Sequence, residues 1–213
     1  MSREFWDSRF AEKGFAYGTE PNEFLASQKR YIDAVLKAQT VRPSTAPLAS
    51  IPSAKALAVA DGEGRNGVWL ASQGLDVLSV DQSAVGLAKA RELAAQRGVS
   101  IRTEQVELTT WKWPENEFDV VVAVFIHFRP EHRAAMHARM VAALKPGGVL
   151  ILEAFTPKQL EYKTGGPQDP AMLYTMEMLR GDFADGERLL LEEVITGLNE
   201  GPYHRGQSAV VRL

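Results

Sequence analysis

The sequence predicts an α/β fold: a doubly wound, seven-stranded, mostly parallel sheet closed by an antiparallel C-terminal hairpin. Short apolar runs alternate with helical patterns between residues 56 and 155. Strands separated in this way are joined by right-handed crossovers that cover both faces of a sheet. The last two strand-like stretches, 189–200 and 208–213, have only the turn "GPYHRGQ" between them, which makes them a hairpin.

Each element has its own local reason. "ALAVA" (56–60) is a buried-strand run that ends at a glycine turn, and "GVWLASQG" (67–74) continues as a helix closed by Gly74. "DVLSVD" (76–81) is the second strand. "SAVGLAKARELAAQRG" (83–98) is a helix with Ser83 at its N-cap and Gly98 at its C-cap. "SIRTEQVE" (100–107) is the third strand, and "DVVVAVF" (119–125) is a fourth, apolar enough to be buried on both faces. "EHRAAMHARMVAALKPGG" (131–148) reads as a helix stopped by Pro146-Gly147-Gly148, and "VLILEAF" (149–155) is the fifth strand. Residues 1–38 carry two helical patterns, and the Pro/Ser-rich 40–53 is a connector.

With 213 residues, no repeat and no break in composition, the expected organisation is a single domain, 1–213, with a helical cap over 1–40 and a core over 55–213. Hydrophobic residues are 45% and charged residues 24%, as in soluble globular chains. The formal charge of -3 and the scattered Lys and Arg offer no basic field, so nucleic acid is not an expected partner. The absence of Cys removes disulfides, thiolate metal sites and a cysteine nucleophile. "MSREFWDSRF" has no signal-peptide core, and "VVVAVFI" (120–126) is far too short to span a bilayer. A cytoplasmic protein with no membrane partner, monomeric or weakly homodimeric, is the expectation.

In doubly wound sheets ligands bind at the carboxyl ends of the strands, and Asp61, Asp81, Glu107, His127 and Phe155 fall near such ends. "VADGEGRNG" (59–67) contains G-x-G-x-x-G at Gly62, Gly64 and Gly67. This is a weak signal alone. A pyrophosphate on a helix N-terminus wants backbone N–H groups and positive charge, whereas this turn carries Asp61 and Glu63. S-adenosylmethionine (SAM) presents two cationic groups and one carboxylate, which backbone N–H groups or Arg65 can hold, and so suits an acidic turn better. Asp81 serves either ligand, because its carboxylate can accept both hydroxyls of an adenosine ribose.

The order of features decides between them. A glycine turn, an acid ending the second strand, an acid in "VEL" ending the third, "LKPGG" opening the fifth and a closing hairpin together resemble the class I SAM-dependent methyltransferases, with their Rossmann-like sheet. "GEGRN", "VDQSAVGLAKA", "WDSRF" and "YGTEPNEFL" are similar to the small bacterial enzymes related to the tellurite-resistance family, over nearly the whole chain. The resemblance implies that Ala60, Asp61, Gly62, Glu63, Gly64, Arg65 and Asn66 cradle the methionine part and Asp81 the ribose. Gln82 and Ser83 then flank the adenine, Glu107 and Leu108 meet its edge, Val124 joins the wall, and Tyr17 folds over the cofactor. The chain departs from the family where an acid is usual two residues before the turn's first glycine: those positions are Ala58 and Ala60. The implied cofactor is SAM, its product S-adenosylhomocysteine (SAH), the partner a small-molecule methyl acceptor. Metal has no part in it.

His127, in "FIHFRPEH", is the candidate catalytic residue, orienting the acceptor or taking its proton, with a purely structural histidine as the open alternative. His132 and His137 lack the spacing of a metal pair and read as surface residues. His204 either reaches the sheet end or is exposed. Trp6, Phe10 and Tyr17 line the cavity or dock the cap. The turn-rich 156–170 reads as a lid, a substrate selector or a flexible surface loop. Two alternatives stay open for the whole chain: an NAD(P)-dependent oxidoreductase, and a SAM-binding module without turnover.

Overall fold

The structure, a computed structural model, describes residues 2–41 and 53–213; most of the 40–53 connector lies outside these. Its centre is one seven-stranded sheet. The strands are β1 (Lys55–Val59), β2 (Asp76–Asp81), β3 (Arg102–Gln105), β4 (Phe118–Val124), β5 (Leu144–Phe155), β6 (Glu192–Asn199) and β7 (Arg205–Arg212). They lie in the order β3-β2-β1-β4-β5-β7-β6. The first five pair in parallel, and β7 runs antiparallel between β5 and β6. The chain leaves β1 towards β2 and β3, then returns on the other side as β4 and β5. The switch point therefore falls between the carboxyl ends of β1 and β4, where such sheets take their ligands.

Both faces of the central strands β1 and β4 are buried because, past Lys55 and Asp119 near their starts, they are apolar at every position. Leu57, Val59, Val121 and Ala123 pack with Met136 and Met140 of α6 (Pro130–Ala143). Ala56, Ala58, Val120 and Val122 pack against Leu70 of α4 (Arg65–Ser72) and against Phe24, Leu25 and Ile32 of the N-terminal segment. That segment forms three helices, α1 (Arg3–Phe10), α2 (Glu23–Ser27) and α3 (Lys29–Val41), where the periodicity suggested two. α5 (Ala84–Gln96) follows β2, capped as expected by the Ser83 hydroxyl, which accepts the Gly86 N–H.

Some boundaries differ from expectation for identifiable reasons. The helix expected to reach 148 ends at Ala143, because Leu144 already pairs with Phe118 and a register irregularity absorbs Lys145–Gly148 into β5. The third strand keeps only four residues, since it lies at the edge beside β2 alone. Two short helices, α7 (Gln159–Tyr162) and α8 (Met176–Asp182), were hidden by turn-rich sequence. His137 is no surface residue: it is fully buried, its Nδ1 2.8 Å from the Asp182 carboxylate, which also takes Arg133 and pins α8 to α6. His132 is exposed as expected.

Candidate functional site

The glycine turn is built around a carboxylate. Asp61 turns inward, where its oxygens accept the Gly67 N–H at 3.2 Å and the Ser79 hydroxyl at 2.7 Å. A Cβ on Gly67 would lie 2.3 Å from Asp61 Oδ2, so the third glycine makes room for this acid. Gly64 takes a left-handed φ of 87° as the N-cap of α4, and a Cβ there would meet Ala90 at 2.5 Å. Gly62 has a left-handed φ of 57°, and a Cβ there would meet the Phe10 ring at 2.9 Å, so turn and packing account for all three glycines without a phosphate. Burial pushes the Asp61 carboxyl up to about 7 despite its hydrogen bonds.

Asp81, at the end of β2, accepts the Gly62 N–H at 2.9 Å on one oxygen and the Ser83 N–H at 2.8 Å on the other. A carboxylate has about four acceptor positions. Asp81 lines a cavity of about 680 Å³ over the switch point, so the carboxylate can still accept from a ligand there. Burial pushes its carboxyl up to about 6. Three non-glycine residues beside this cavity hold left-handed backbones: Ala60 (φ 50°) after β1, Phe125 (φ 55°) after β4 and Lys163 (φ 57°) after α7. Such strain costs about 1–3 kcal/mol each and collects at functional sites.

Of the residues singled out from sequence, Tyr17, Ala60, Asp61, Gly62, Glu63, Arg65, Asn66, Asp81, Gln82, Glu107, Leu108, Val124 and His127 line this one cavity. Gly64 and Ser83 are not among its lining residues: the first is packed against Ala90, the second is a helix cap that also donates to Asp7. Several lining side chains are already engaged. Glu63 accepts the Ala16 N–H at 2.7 Å and pairs with Lys89 at 2.9 Å, so its charge holds the cap to the core. Asn66 accepts the Asn22 N–H at 3.0 Å. Glu107 accepts from the Thr109 N–H and hydroxyl. Tyr17 accepts a hydrogen bond from Arg9, and its ring lies 4.5 Å from that of His204.

His127 needs correction as a proton acceptor. Its Nδ1 lies 2.9 Å from the Met172 carbonyl and must donate, which leaves Nε2 as the lone-pair nitrogen; that lone pair accepts the Phe155 N–H at 3.2 Å. Both nitrogens are spent on backbone. Burial also holds its pKa down, at about 4. The geometry is that of a structural histidine stapling β4, β5 and the segment before α8.

His204 is placed differently. It is 6% exposed, ringed by Tyr17, Phe125 and Phe155, and it lines the cavity. Nδ1 lies 3.7 Å from Glu200 Oε2, too far for a hydrogen bond, and is buried unbonded. Nε2 makes no hydrogen bond among the described residues and, unlike Nδ1, is not sealed from the cavity.

A buried polar network supports this wall. Asn22 donates to Glu153 at 2.6 Å and to Glu200 at 2.9 Å; Arg212 donates to Glu153 and Arg65 to Glu200, each at 2.7 Å. Burial alone would lift the Glu200 carboxyl, but the Arg65 guanidinium, hydrogen-bonded to it at 2.7 Å, outweighs that and holds it at about 2. Arg65 Nη1, also buried, has no partner among the described residues. Sequence reading missed Glu153, Glu200, Arg212 and Asn22. An acid inside "VLILEAF" and an Arg inside "VVRL" carried the signal, because charges in buried strands are paired.

Among the described residues no helix is long and apolar enough to cross a membrane. Comparison with known proteins agrees with the geometry. A methyltransferase-domain family model matches residues 56–148. A glycine/sarcosine N-methyltransferase of Halorhodospira halochloris is 38% identical over 105 residues, covering 46% of this chain and 38% of that protein, so the chain spans well under half the relative's length. Among solved structures, TehB from Haemophilus influenzae is 19% identical with a TM-score of 0.62, over 84% of this chain and 60% of that one. Magnesium protoporphyrin IX methyltransferase from Synechocystis PCC 6803, solved with bound SAH, is 18% identical with a TM-score of 0.56, over 99% and 96%. At these identities the structural likeness is one of fold. The matched residues, 56–148, hold the strands and glycine turn that build the site, and over them this chain is similar to methyltransferase domains.

Proposed function

We propose that the chain is a SAM-dependent methyltransferase acting on a small-molecule acceptor. The observation that carries this is the self-capped turn: the Gly67 N–H at the start of α4 is already taken by Asp61, which leaves a poor seat for a pyrophosphate. That weighs against a nicotinamide dinucleotide. Asp81 lines the cavity with its carboxylate held by backbone N–H groups and can still accept from a ribose diol, and Arg65 lines the same cavity as the cation nearest the glycine turn, able to balance an amino-acid carboxylate. The likeness to a methyltransferase solved with SAH supports the same ligand. SAM and SAH are expected to raise the melting temperature, by about 2.7 kcal/mol of stability at a hundredfold excess over Kd, and NAD and NADP to leave it unchanged. Stabilisation by NAD alone contradicts the reading.

Bound there, SAM supplies a methyl group already activated for displacement, so the chain's task is to position the acceptor, exclude water and, where needed, remove a proton. His127 has no free lone pair for that last step. His204 offers one on Nε2 in the tautomer whose Nδ1 proton faces Glu200, 3.7 Å away, and burial lowers its pKa so that the neutral form prevails near pH 7. His204→Gln is expected to leave SAH affinity within about twofold and to lower turnover by ~10²–10⁴-fold, whereas His127→Gln should lower the melting temperature first. Unchanged turnover in a folded His204→Gln protein removes His204 from the reaction. Small thiols, halides and oxyanions of selenium or tellurium are first acceptors by family resemblance, and glycine and sarcosine by likeness to the relative from Halorhodospira halochloris.

Cofactor affinity should also depend on pH. Asp81 accepts hydroxyls only when ionised, and its carboxyl sits at about 6 in the free protein. SAH affinity is therefore expected to be flat above about pH 6 and to fall by roughly tenfold per unit below it, because binding must then expel a proton. Titration calorimetry between pH 5 and 8 measures it, and a pH-independent Kd over that range argues against Asp81 as the ribose acceptor.

A further inference from the structure

The cavity is electrostatically divided. Its lining carboxylates, Asp61, Glu63, Asp81 and Glu107, all stand at the ends of β1, β2 and β3. On the other half, beyond β4 and β5 and at the β6–β7 turn, the lining holds Arg129, Lys163 and Arg205 and no acid. None of these three forms an ion pair among the described residues, whereas the interior and half-buried cations Arg65, Lys89, Arg133, Lys145 and Arg212 all do. The chain as a whole is acidic at -3, so the cationic rim does not follow from composition. Cations left unpaired around the mouth of a cleft focus a positive potential into it.

Behind this rim the wall is aromatic and fixed. Phe125 and Phe155 stack at 4.4 Å, and His204 meets both edge-on. The segment Lys163–Gly166 closes onto them: a Cβ on Gly166 would lie 2.7 Å from the Phe155 ring and one on Gly165 2.8 Å from His204. The Thr164 hydroxyl is tied to the Gln207 carbonyl and the Ser208 hydroxyl, each at 2.7 Å. This segment is therefore a docked wall rather than a flexible loop, and it holds Lys163 against the same hairpin that carries Arg205.

We propose that the acceptor is an organic anion: an apolar, preferably flat body lies against Phe125, which Phe155 backs, and Tyr17, and a carboxylate or similar anionic group lies among Lys163, Arg205 and Arg129. The proposal rests on the methyltransferase reading of the same cavity and narrows its substrate class. An apolar body gains from leaving water against the aromatic rings, and the rim charges favour an anionic end without the cost of burying an unpaired ion.

The test uses the full chain saturated with SAH and four probes: benzoate, benzyl alcohol, benzylamine and selenite, each titrated by calorimetry. Benzoate is expected to bind at least about tenfold more tightly than the other three, a gap of 1.4 kcal/mol, and to weaken as ionic strength rises. In the double variant Lys163→Glu/Arg205→Glu, whose altered side chains are exposed and unpaired, benzoate affinity should fall by about tenfold or more, with melting temperature and SAH affinity unchanged. Equal binding of benzyl alcohol or benzylamine overturns the anionic end, selenite binding as tightly as benzoate overturns the apolar body, and a double variant that keeps benzoate overturns the site. Failure of SAH itself to bind counts against the cofactor reading alone, since the same ranking on the unloaded protein still decides the acceptor class.

Discussion

Asp81→Ala is expected to abolish measurable SAH binding in a protein that still folds. Two hydrogen bonds to a charged carboxylate are worth about 1.5–3 kcal/mol each, so their loss should weaken SAH by roughly 10²–10⁴-fold. The fold feels two opposing effects. Removing the side chain strands the Gly62 and Ser83 N–H groups, but it also relieves the burial that pushes this carboxyl up to about 6. The net change in apo stability should be small beside the change in affinity. Calorimetry and a thermal melt on one preparation separate the two, and a folded variant with wild-type SAH affinity takes Asp81 out of the site.

The second large effect is on stability. Glu200→Gln keeps an oxygen for Asn22 but leaves the Arg65 guanidinium buried without a counter-charge, in a pair whose side chains are 7% and 4% exposed. Breaking a buried pair from one side costs about 3–5 kcal/mol. At about 2–4 °C per kcal/mol for a domain of this size, the melting temperature should fall by roughly 6–20 °C. SAH affinity should fall with it, because Glu200 also fixes Arg65, the arginine proposed to meet the ligand carboxylate. The Glu200 carboxyl is depressed from 4.5 to about 2, so its stabilisation is complete above about pH 4.5 and is lost as pH falls towards 2. A melting temperature within about two degrees of wild type contradicts the role given to this pair.

Most of the fold was legible because its signals are local. An apolar run, a glycine turn and a helical period each declare themselves within ten or so residues, and parallel pairing follows from their alternation. The helix expected to run to 148 was misread because Leu144–Gly148 is claimed by a partner strand 26 residues earlier, through Phe118. His137 was misread for a similar reason, since the acid that buries it, Asp182, lies 45 residues away. One side of the cavity was legible because Asp81 and the turn fall at strand ends, where topology puts ligands. The other side was not, because it assembles from the cap, the Lys163–Gly166 wall and the hairpin, and the strained Phe125 and the buried His204 have no signature in sequence. His127 stood in the expected place, but whether a histidine is a base or a staple depends on its two nitrogens, and the Met172 carbonyl that occupies one is 45 residues distant.

The central claim is that one cavity holds SAM through Asp81 and Arg65, and a crystal structure of the chain grown with SAH tests it most directly. Both ribose hydroxyls are expected on the Asp81 carboxylate, the amino-acid carboxylate beside Arg65, the adenine between Gln82 and Leu108, and the sulfur facing Phe125 and His204. Density for SAH elsewhere, or the ligand in this cavity with Asp81 and Arg65 making no contact to it, contradicts the account.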